Sequence, residues 1–203
     1  MIKMLKTIPD EVTIAISGGL DSMVITEFLN NPYESRKVKL LHFNHSEGNS
    51  DETEVFVREY ALANKLELKV HTISPEVPKH LSREEYWRIE RYKVFHRIDG
   101  PVITGHHLDD CVETWIWSSL HGEGKLIPYS NKNVIRPFLL TSKADLNLYA
   151  AGRKGIRWIE DESNKDNTLM RNYIRNVLMP HALKVNPGIA KVIKKKLEKE
   201  YLK

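Results

Sequence analysis

Val12-Thr13-Ile14-Ala15-Ile16-Ser17-Gly18-Gly19-Leu20-Asp21-Ser22-Met23-Val24-Ile25 decides the fold of this chain. Residues 12–16 are apolar and largely β-branched, the pattern of a buried strand. Met23-Val24-Ile25-Thr26-Glu27-Phe28-Leu29 reads as a helix. Between them the Gly18-Gly19 pair lets successive backbone N–H groups turn toward one point. The hydroxyls of Ser17 and Ser22 add donors, and the helix start adds the positive end of its dipole. Ser17, Gly18, Gly19, Leu20, Asp21 and Ser22 therefore read as a cradle for a polyanion, with the phosphates of a nucleotide as the expected occupant. Asp21 has the wrong charge to hold phosphate directly; its expected partner is Mg²⁺ bridging to phosphate oxygens. The stretch is neither G-x-x-x-x-G-K-[ST] nor G-x-G-x-x-G. The competing local reading is a plain strand-to-helix turn capped by Asp or Ser.

Outward from this loop, strand signals alternate with helical ones. The pattern predicts an α/β fold, a mainly parallel sheet with helices on both faces. Strands are expected at 12–16, 38–43, 66–72 and 101–104, and helices at roughly 22–30, 52–64, 82–97, 109–120 and 142–152. Gly18-Gly19, Asn44-His45 and Gly105-His106-His107 all fall at strand C-terminal ends, the edge where open α/β sheets bind ligands. Residues 125–137 read as a short hairpin-like excursion that Pro137 would end. From Pro187 onward Lys191, Lys194, Lys195, Lys196, Lys199 and Lys203 face Glu198 and Glu200, with Ile189, Val192, Ile193 and Leu197 on one apolar side. This is either a solvated helix docked at the domain edge or a surface for a phosphate backbone. The expected division is a catalytic domain over 1–183 and a basic C-terminal helix over 184–203.

Composition sets the outer bounds. A chain of 203 residues with 41% hydrophobic residues suits one domain with a small appendage. The formal charge of +4 favours an anionic partner only weakly. There is no apolar run near 18 residues, so no membrane span is expected. Pro9, Asp10 and Glu11 interrupt any signal-like start, which makes the cytoplasm the expected location. Cys111 is the single cysteine, which excludes an internal disulfide and any Cys-x-x-Cys site.

A second polar constellation lies at Thr104-Gly105-His106-His107-Leu108-Asp109-Asp110-Cys111-Val112-Glu113-Thr114. Asp109 and Asp110 stand at a helix start, favoured by its dipole, and one of them reads equally as a cap. Asp110 and Glu113 are three apart and share a helix face. Two carboxylates at this edge suit an ammonium group, a metal or general-base work. His106-His107 lacks a third ligand at a zinc spacing.

Residues 17–22 resemble the loop of the PP-loop ATP pyrophosphatases, which cleave ATP between the α and β phosphates and adenylate an oxygen of their substrate. Within that superfamily the chain resembles the tRNA(Ile)-lysidine synthetases. The resemblance rests on Asp-Asp-x-x-Glu-Thr after Thr-Gly-His-His, on His42-Phe43-Asn44-His45, and on Arg88-Ile89-Glu90-Arg91-Tyr92. Arg136-Pro137-Phe138-Leu139, Glu160-Asp161-Glu162-Ser163-Asn164 and Arg171-Asn172-Tyr173-Ile174-Arg175 follow in the family's order. It departs from the family at Ser46-Glu47-Gly48, where a Leu-Arg pair is usual, and at His121-Gly122-Glu123-Gly124, where Arg-Gly-x-Gly is usual. It also ends before the C-terminal domains of the larger bacterial members.

The resemblance implies a short form of such an enzyme, a ligase using ATP and Mg²⁺. Its substrates would be free L-lysine and a tRNA(Ile) with a CAU anticodon. ATP would adenylate C2 of the wobble cytidine, and the lysine amine would then displace AMP. The backbone around His42 and Asn44, with Gly105 and His106, would border the nucleotide. Asp110 and Glu113 would hold the lysine ammonium and accept its proton, which is needed because a free amine has a pKa of about 10.4. Arg88 and Arg91 would stabilise charge developing on phosphate, although an ion pair with a neighbouring glutamate is the competing role for either. Arg171, Asn172 and Arg175 share a face and would shape the substrate site, with a capping role around Ser163 as the alternative. The alternatives in function are another PP-loop tRNA-modifying enzyme, such as a 2-thiocytidine synthetase, and a non-catalytic RNA-binding protein on the same scaffold. A homodimer is left open.

Overall fold

Strand β1 (Glu11–Ala15) runs into the Gly18-Gly19 turn and helix α1 (Leu20–Leu29). The alternation continues through β2 (Lys37–Asn44), α2 (Ser50–Ala63), β3 (Glu67–Thr72), α3 (Arg83–Phe95), β4 (Val102–Ile103) and α4 (Leu108–Leu120). A small hairpin, β5 (Ser130–Asn131) and β6 (Val134–Ile135), precedes α5 (Lys143–Ala151). The remainder is helical: a 3₁₀ turn at Glu162–Lys165, α6 (Met170–Tyr173), a π-helical stretch at Ile174–Leu178, α7 (Met179–Val185) and α8 (Ile189–Tyr201). The computed structural model describes residues 1–202, apart from Pro32, Glu34, Lys154 and the side chain of Glu162. Lys203 of the basic tail lies outside the described residues.

The six strands lie in the order β3-β2-β1-β4-β6-β5. Every pairing is parallel except β5 with β6. The chain steps from β1 outward to β2 and β3, and then β4 lies on the opposite side of β1. Such a reversal opens a crevice at the strand C-termini. Ile14 pairs in register with Ile103. The loop after β1 and the loop after β4, which carry the two polar constellations, thus leave the sheet side by side.

Side-chain alternation along β2 covers both faces. Val38 and Leu40 join Val12, Ile14 and Ile16 against α1, α2 and α5. Leu41 and Phe43 point the other way, to Phe95 of α3 with Val102 and Val134. A third cluster sets Leu108, Cys111, Val112 and Ile116 of α4 against Ile189, Ile193 and Leu197 of α8. Ile189, Ile193 and Leu197 of the expected apolar side are therefore buried, but Val192 is exposed, as are Lys191, Lys195, Lys196 and Lys199.

The elements agree with the expected alternation within two residues at most boundaries. The fourth strand is only two residues long, and Pro137 stands two residues beyond the end of β6. Helices α6 and α7 are not among the helices expected from apolar patterning, although the shared face of Arg171, Asn172 and Arg175 implies helical backbone at α6. They are four and seven residues long, too short to set up an apolar period. Among the described residues no helix is long and apolar enough to cross a membrane.

Candidate active site

The loop after β1 has the geometry of an anion cradle. Gly18 takes φ +82°, and a Cβ there would stand 2.6 Å from Thr53 Cγ2. Only glycine suits both the left-handed backbone and the contact. The Ser22 hydroxyl donates to Gly19 O at 2.9 Å and accepts from the Ser17 amide at 3.1 Å. Ser17 Oγ and Ser22 Oγ lie 3.0 Å apart. These bonds hold the loop closed on itself. Gly19 caps α1 without any side-chain acceptor. The amides of Leu20, Asp21 and Ser22 accordingly have no acceptor among the described residues.

The loop after β4 packs directly on this turn. A Cβ on Gly105 would stand 3.8 Å from the Ser22 amide nitrogen. His106 Nδ1 is 2.9 Å from Thr104 Oγ1, and burial pushes its pKa down to about 3. It is a neutral imidazole beside the crevice. His107 behaves oppositely. It is 4% exposed, and its ring lies 3.6 Å from Asp21, 3.6 Å from Asp110 and 3.7 Å from Asp109. Burial opposes its charge, but the three carboxylates prevail and raise its pKa to about 10. His107 is an imidazolium between the anion loop and the acidic helix.

Asp110 and Glu113 are buried on α4, and their side chains are 6% and 5% exposed. Asp110 accepts the His107 amide at 2.8 Å and so caps its own helix. Both carboxylates meet guanidinium groups. Arg171 Nη2 reaches Asp110 Oδ1 at 2.7 Å, and Arg175 Nε reaches Glu113 Oε1 at 2.6 Å. Arg175 Nη2 adds Glu113 Oε2 at 3.1 Å and Asp110 Oδ1 at 3.3 Å. Burial alone would raise the Asp110 pKa, yet His107 and Arg171 hold it down at about 2. Arg175 lies on the π-helical stretch, a backbone form common at functional sites.

The remaining expected residues divide by role. Asn172 is buried and donates to Ser163 O at 2.7 Å and Asp166 O at 2.9 Å, so it fastens the loop below Arg171. Asp161 caps the 3₁₀ turn through the Ser163 amide at 2.9 Å. His42 Nδ1 lies 2.9 Å from Ile16 O, tying β2 to β1, while its buried Nε2 has no partner among the described residues. Asn44 donates to Asp51 and Glu54, both at 2.9 Å, and holds the loop after β2. Arg88 and Arg91 have different surroundings. Arg88 stacks 5.7 Å over Tyr92 and lines a groove of about 250 Å³ with Glu85, Ile89 and Asn131. Arg91 is partly buried, and burial lowers its pKa, with Arg171 and Arg88 adding repulsion. Among the described residues it has no carboxylate within ion-pair distance. An uncompensated cation here suits an anionic ligand. Cys111 is fully buried, and its thiol is pushed up to about 12. That is the opposite of an activated cysteine.

Sequence reasoning missed two residues. In the sequence His107 reads only as part of the polar Gly105-His106-His107 cluster at a strand end and as half of a His pair without a third zinc ligand, with no sign of its contact with Asp21. Lys143 was not weighed at all, although its Nζ lies 2.6 Å from Asp21 Oδ1 and its amide donates to Asp109 Oδ2 at 2.8 Å. It is 122 positions from Asp21, and no local motif signals the contact.

The parallel sheet, the glycine turn after its central strand and the acidic helix after the neighbouring strand define a nucleotide-binding α/β protein of the PP-loop class. The PP-loop domain family matches residues 2–182, and the chain belongs to that family. It is similar to the tRNA(Ile)-lysidine synthase of Persephonella marina, 34% identical over 195 residues, which cover 89% of this chain and 43% of that protein. The corresponding enzyme of Pseudomonas putida is 32% identical over 83% of this chain and 42% of its own length. That of Lactiplantibacillus plantarum is 32% identical over 89% and 44%. The chain thus spans less than half the length of these relatives. In fold it is similar to the U34-tRNA thiolase NcsA from Methanococcus maripaludis, with a TM-score of 0.71 over 97% of this chain and 74% of that one, at 18% identity.

Proposed function

We propose that this chain is the adenylating domain of an ATP-dependent tRNA-modifying ligase that attaches free lysine to C2 of the wobble cytidine in a tRNA(Ile) with a CAU anticodon. The observation that carries this reading is the His107 ring, 3.6 Å from both Asp21 and Asp110. It sets the cradle for phosphate and the pair of buried carboxylates on the two sides of one side chain.

In the first step the C2 oxygen of cytosine attacks the α-phosphorus of ATP. The bond from that phosphorus to the β-bridging oxygen breaks, and pyrophosphate leaves. The free amides at Leu20, Asp21 and Ser22 bind the phosphates, and Arg91 offsets charge that builds on them. Asp21 is an oxygen donor of the hard type that Mg²⁺ takes together with substrate phosphates. Such an ion would neutralise charge on the phosphates.

In the second step the lysine ε-amine attacks C2, the C2–oxygen bond breaks, and AMP leaves. The amine must first lose a proton. Asp110 and Glu113 favour cations, and they pair with Arg171 and Arg175. They are the groups suited to orient the ammonium, and Glu113, rather than Asp110 with its pKa held at about 2, is the carboxylate placed to take its proton. AMP is the better leaving group because its negative charge is spread over phosphate. The buried, protonated Cys111 disfavours the rival sulfur-transfer reading.

The test measures labelled lysine incorporation and pyrophosphate release with a CAU-anticodon tRNA. Incorporation should need ATP, lysine and tRNA together. Asp110→Asn and Glu113→Gln should each lower it at least a hundredfold while tRNA binding stays within about threefold. Unchanged incorporation in either variant would refute the assigned role. Incorporation without ATP would refute the mechanism.

A further inference from the structure

The anion loop contains no lysine, yet the structure brings one to it from another helix. We propose that Lys143, paired with Asp21, is the loop's phosphate-binding cation and turns to the β and γ phosphates of ATP when ATP binds. The proposal rests on the nucleotide-binding reading above and adds a residue to it.

Three observations carry it. Lys143 is the first residue of α5, whose N-terminus is rigidly built by the reciprocal Ser142–Asp145 cap. Its own amide is fixed to Asp109 Oδ2 at 2.8 Å. The backbone from which the side chain starts is therefore anchored to the acidic helix, independently of where Nζ points. Secondly, Nζ lies 2.6 Å from Asp21 Oδ1, beside the unpaired amides of α1. In a loop of G-x-x-x-x-G-K-[ST] type the lysine comes from the loop itself. Here the same charge arrives from 122 positions away. Thirdly, the Lys143 side chain is 40% exposed and Asp21 32% exposed, so the pair is open to solvent on one side. An ion pair so exposed contributes little to stability and is readily exchanged. A polyphosphate brings several negative oxygens to the same position and outcompetes one carboxylate.

The exchange has a chemical consequence. When Nζ donates to the non-bridging oxygens of the β and γ phosphates, it stabilises the pyrophosphate that leaves as the α–β bridge breaks. The same movement releases Asp21 Oδ1, the oxygen donor expected to share a divalent ion with those phosphates. One lysine then serves both states, compensating Asp21 before binding and the leaving group after it. AMP lacks these two phosphates and gains nothing from Lys143.

The experiment titrates ATP, inorganic pyrophosphate and AMP against the wild-type chain, Lys143→Met and Lys143→Arg by calorimetry. Lys143→Met should lose at least tenfold in affinity for ATP and pyrophosphate and stay within twofold for AMP. Lys143→Arg should recover most of the loss. Equal ATP affinity in wild type and Lys143→Met overturns the proposal while leaving the nucleotide-binding reading intact. An equal loss for AMP overturns it too, since the residue would then be structural. A wild-type chain that binds none of the three overturns both. Should Lys143→Met fail to fold, amine acylation of the wild-type chain, followed by mass spectrometry, decides the matter. ATP and pyrophosphate, but not AMP, should protect Lys143 at least fivefold, and modification at the same rate with and without ATP overturns the proposal.

Discussion

Removing Arg175 tests whether the acidic pair is held by its guanidinium partners. Glu113 and Asp110 are 5% and 6% exposed, so water cannot replace a lost cation fully. Arg175 supplies Glu113 with contacts at 2.6 and 3.1 Å and Asp110 with one at 3.3 Å. Breaking a buried pair from one side costs about 3–5 kcal/mol. Two features lower that figure: Arg175 is itself 39% exposed, which screens the pair, and Arg171 stays behind as a second cation. Arg175→Met should therefore destabilise the chain by roughly 2–3 kcal/mol. For a domain of this size that lowers Tm by about 4–12 °C. Urea denaturation of the two variants Arg175→Met and Glu113→Gln, singly and together, gives the coupling energy. It should be at least about 1 kcal/mol, because the neutral Gln no longer needs the cation. Arg175→Lys should fall between, keeping the charge and losing the fork. A loss below about 0.5 kcal/mol with no coupling would mean that the pair behaves like a surface ion pair, and the electrostatic account of the site would be wrong.

Gly18→Ala should lower ATP affinity at least tenfold, because the new methyl group meets Thr53 Cγ2 at 2.6 Å and the residue sits at φ +82°. Gly19→Ala meets only Ser17 Oγ at 3.5 Å with ordinary backbone angles and should be much milder; equal losses in a nucleotide titration would contradict the cradle geometry. Stability should peak near pH 6.5. His107, raised to about 10 in the folded state, contributes stability that is fully present below its unfolded pKa and lost as pH rises toward 10. His45 and His106, lowered to about 4 and about 3, act in the opposite sense: the unfolded chain takes up protons first, so stability falls as pH drops below about 6.5. Denaturant midpoints at pH 5, 6.5 and 9 check both arms, and a midpoint that rises from 6.5 to 9 would contradict the assignment of His107.

Much of the architecture was legible because its signals are local. An apolar β-branched run, two glycines and a helix start are contiguous, so residues 12–29 specify strand, turn and helix within themselves. The alternation of Leu40 and Leu41 between the two faces follows from the period of the strand. Asp110 and Glu113 could be placed on one helix face from their spacing alone. The two short helices between α5 and α8 were not legible from apolar patterning, since an apolar period needs more turns than they contain. Roles carried by tertiary contact were also hidden. Asn172 and Asp161 have the polarity of site residues, and their hydrogen bonds go to nearby backbone instead.

By itself the sequence determined that a glycine turn ends the first strand and that an acidic helix follows a later one, because each depends on neighbours within a few residues. Only the tertiary structure decided that those strands are adjacent. It also decided that His107 lies between Asp21 and Asp110, that Arg171 and Arg175 close on the carboxylates, and that Lys143 reaches the loop. Pairing across 58 to 122 positions is set by sheet order and helix packing, and charge–charge contact depends on a few ångströms that no spacing along the chain encodes.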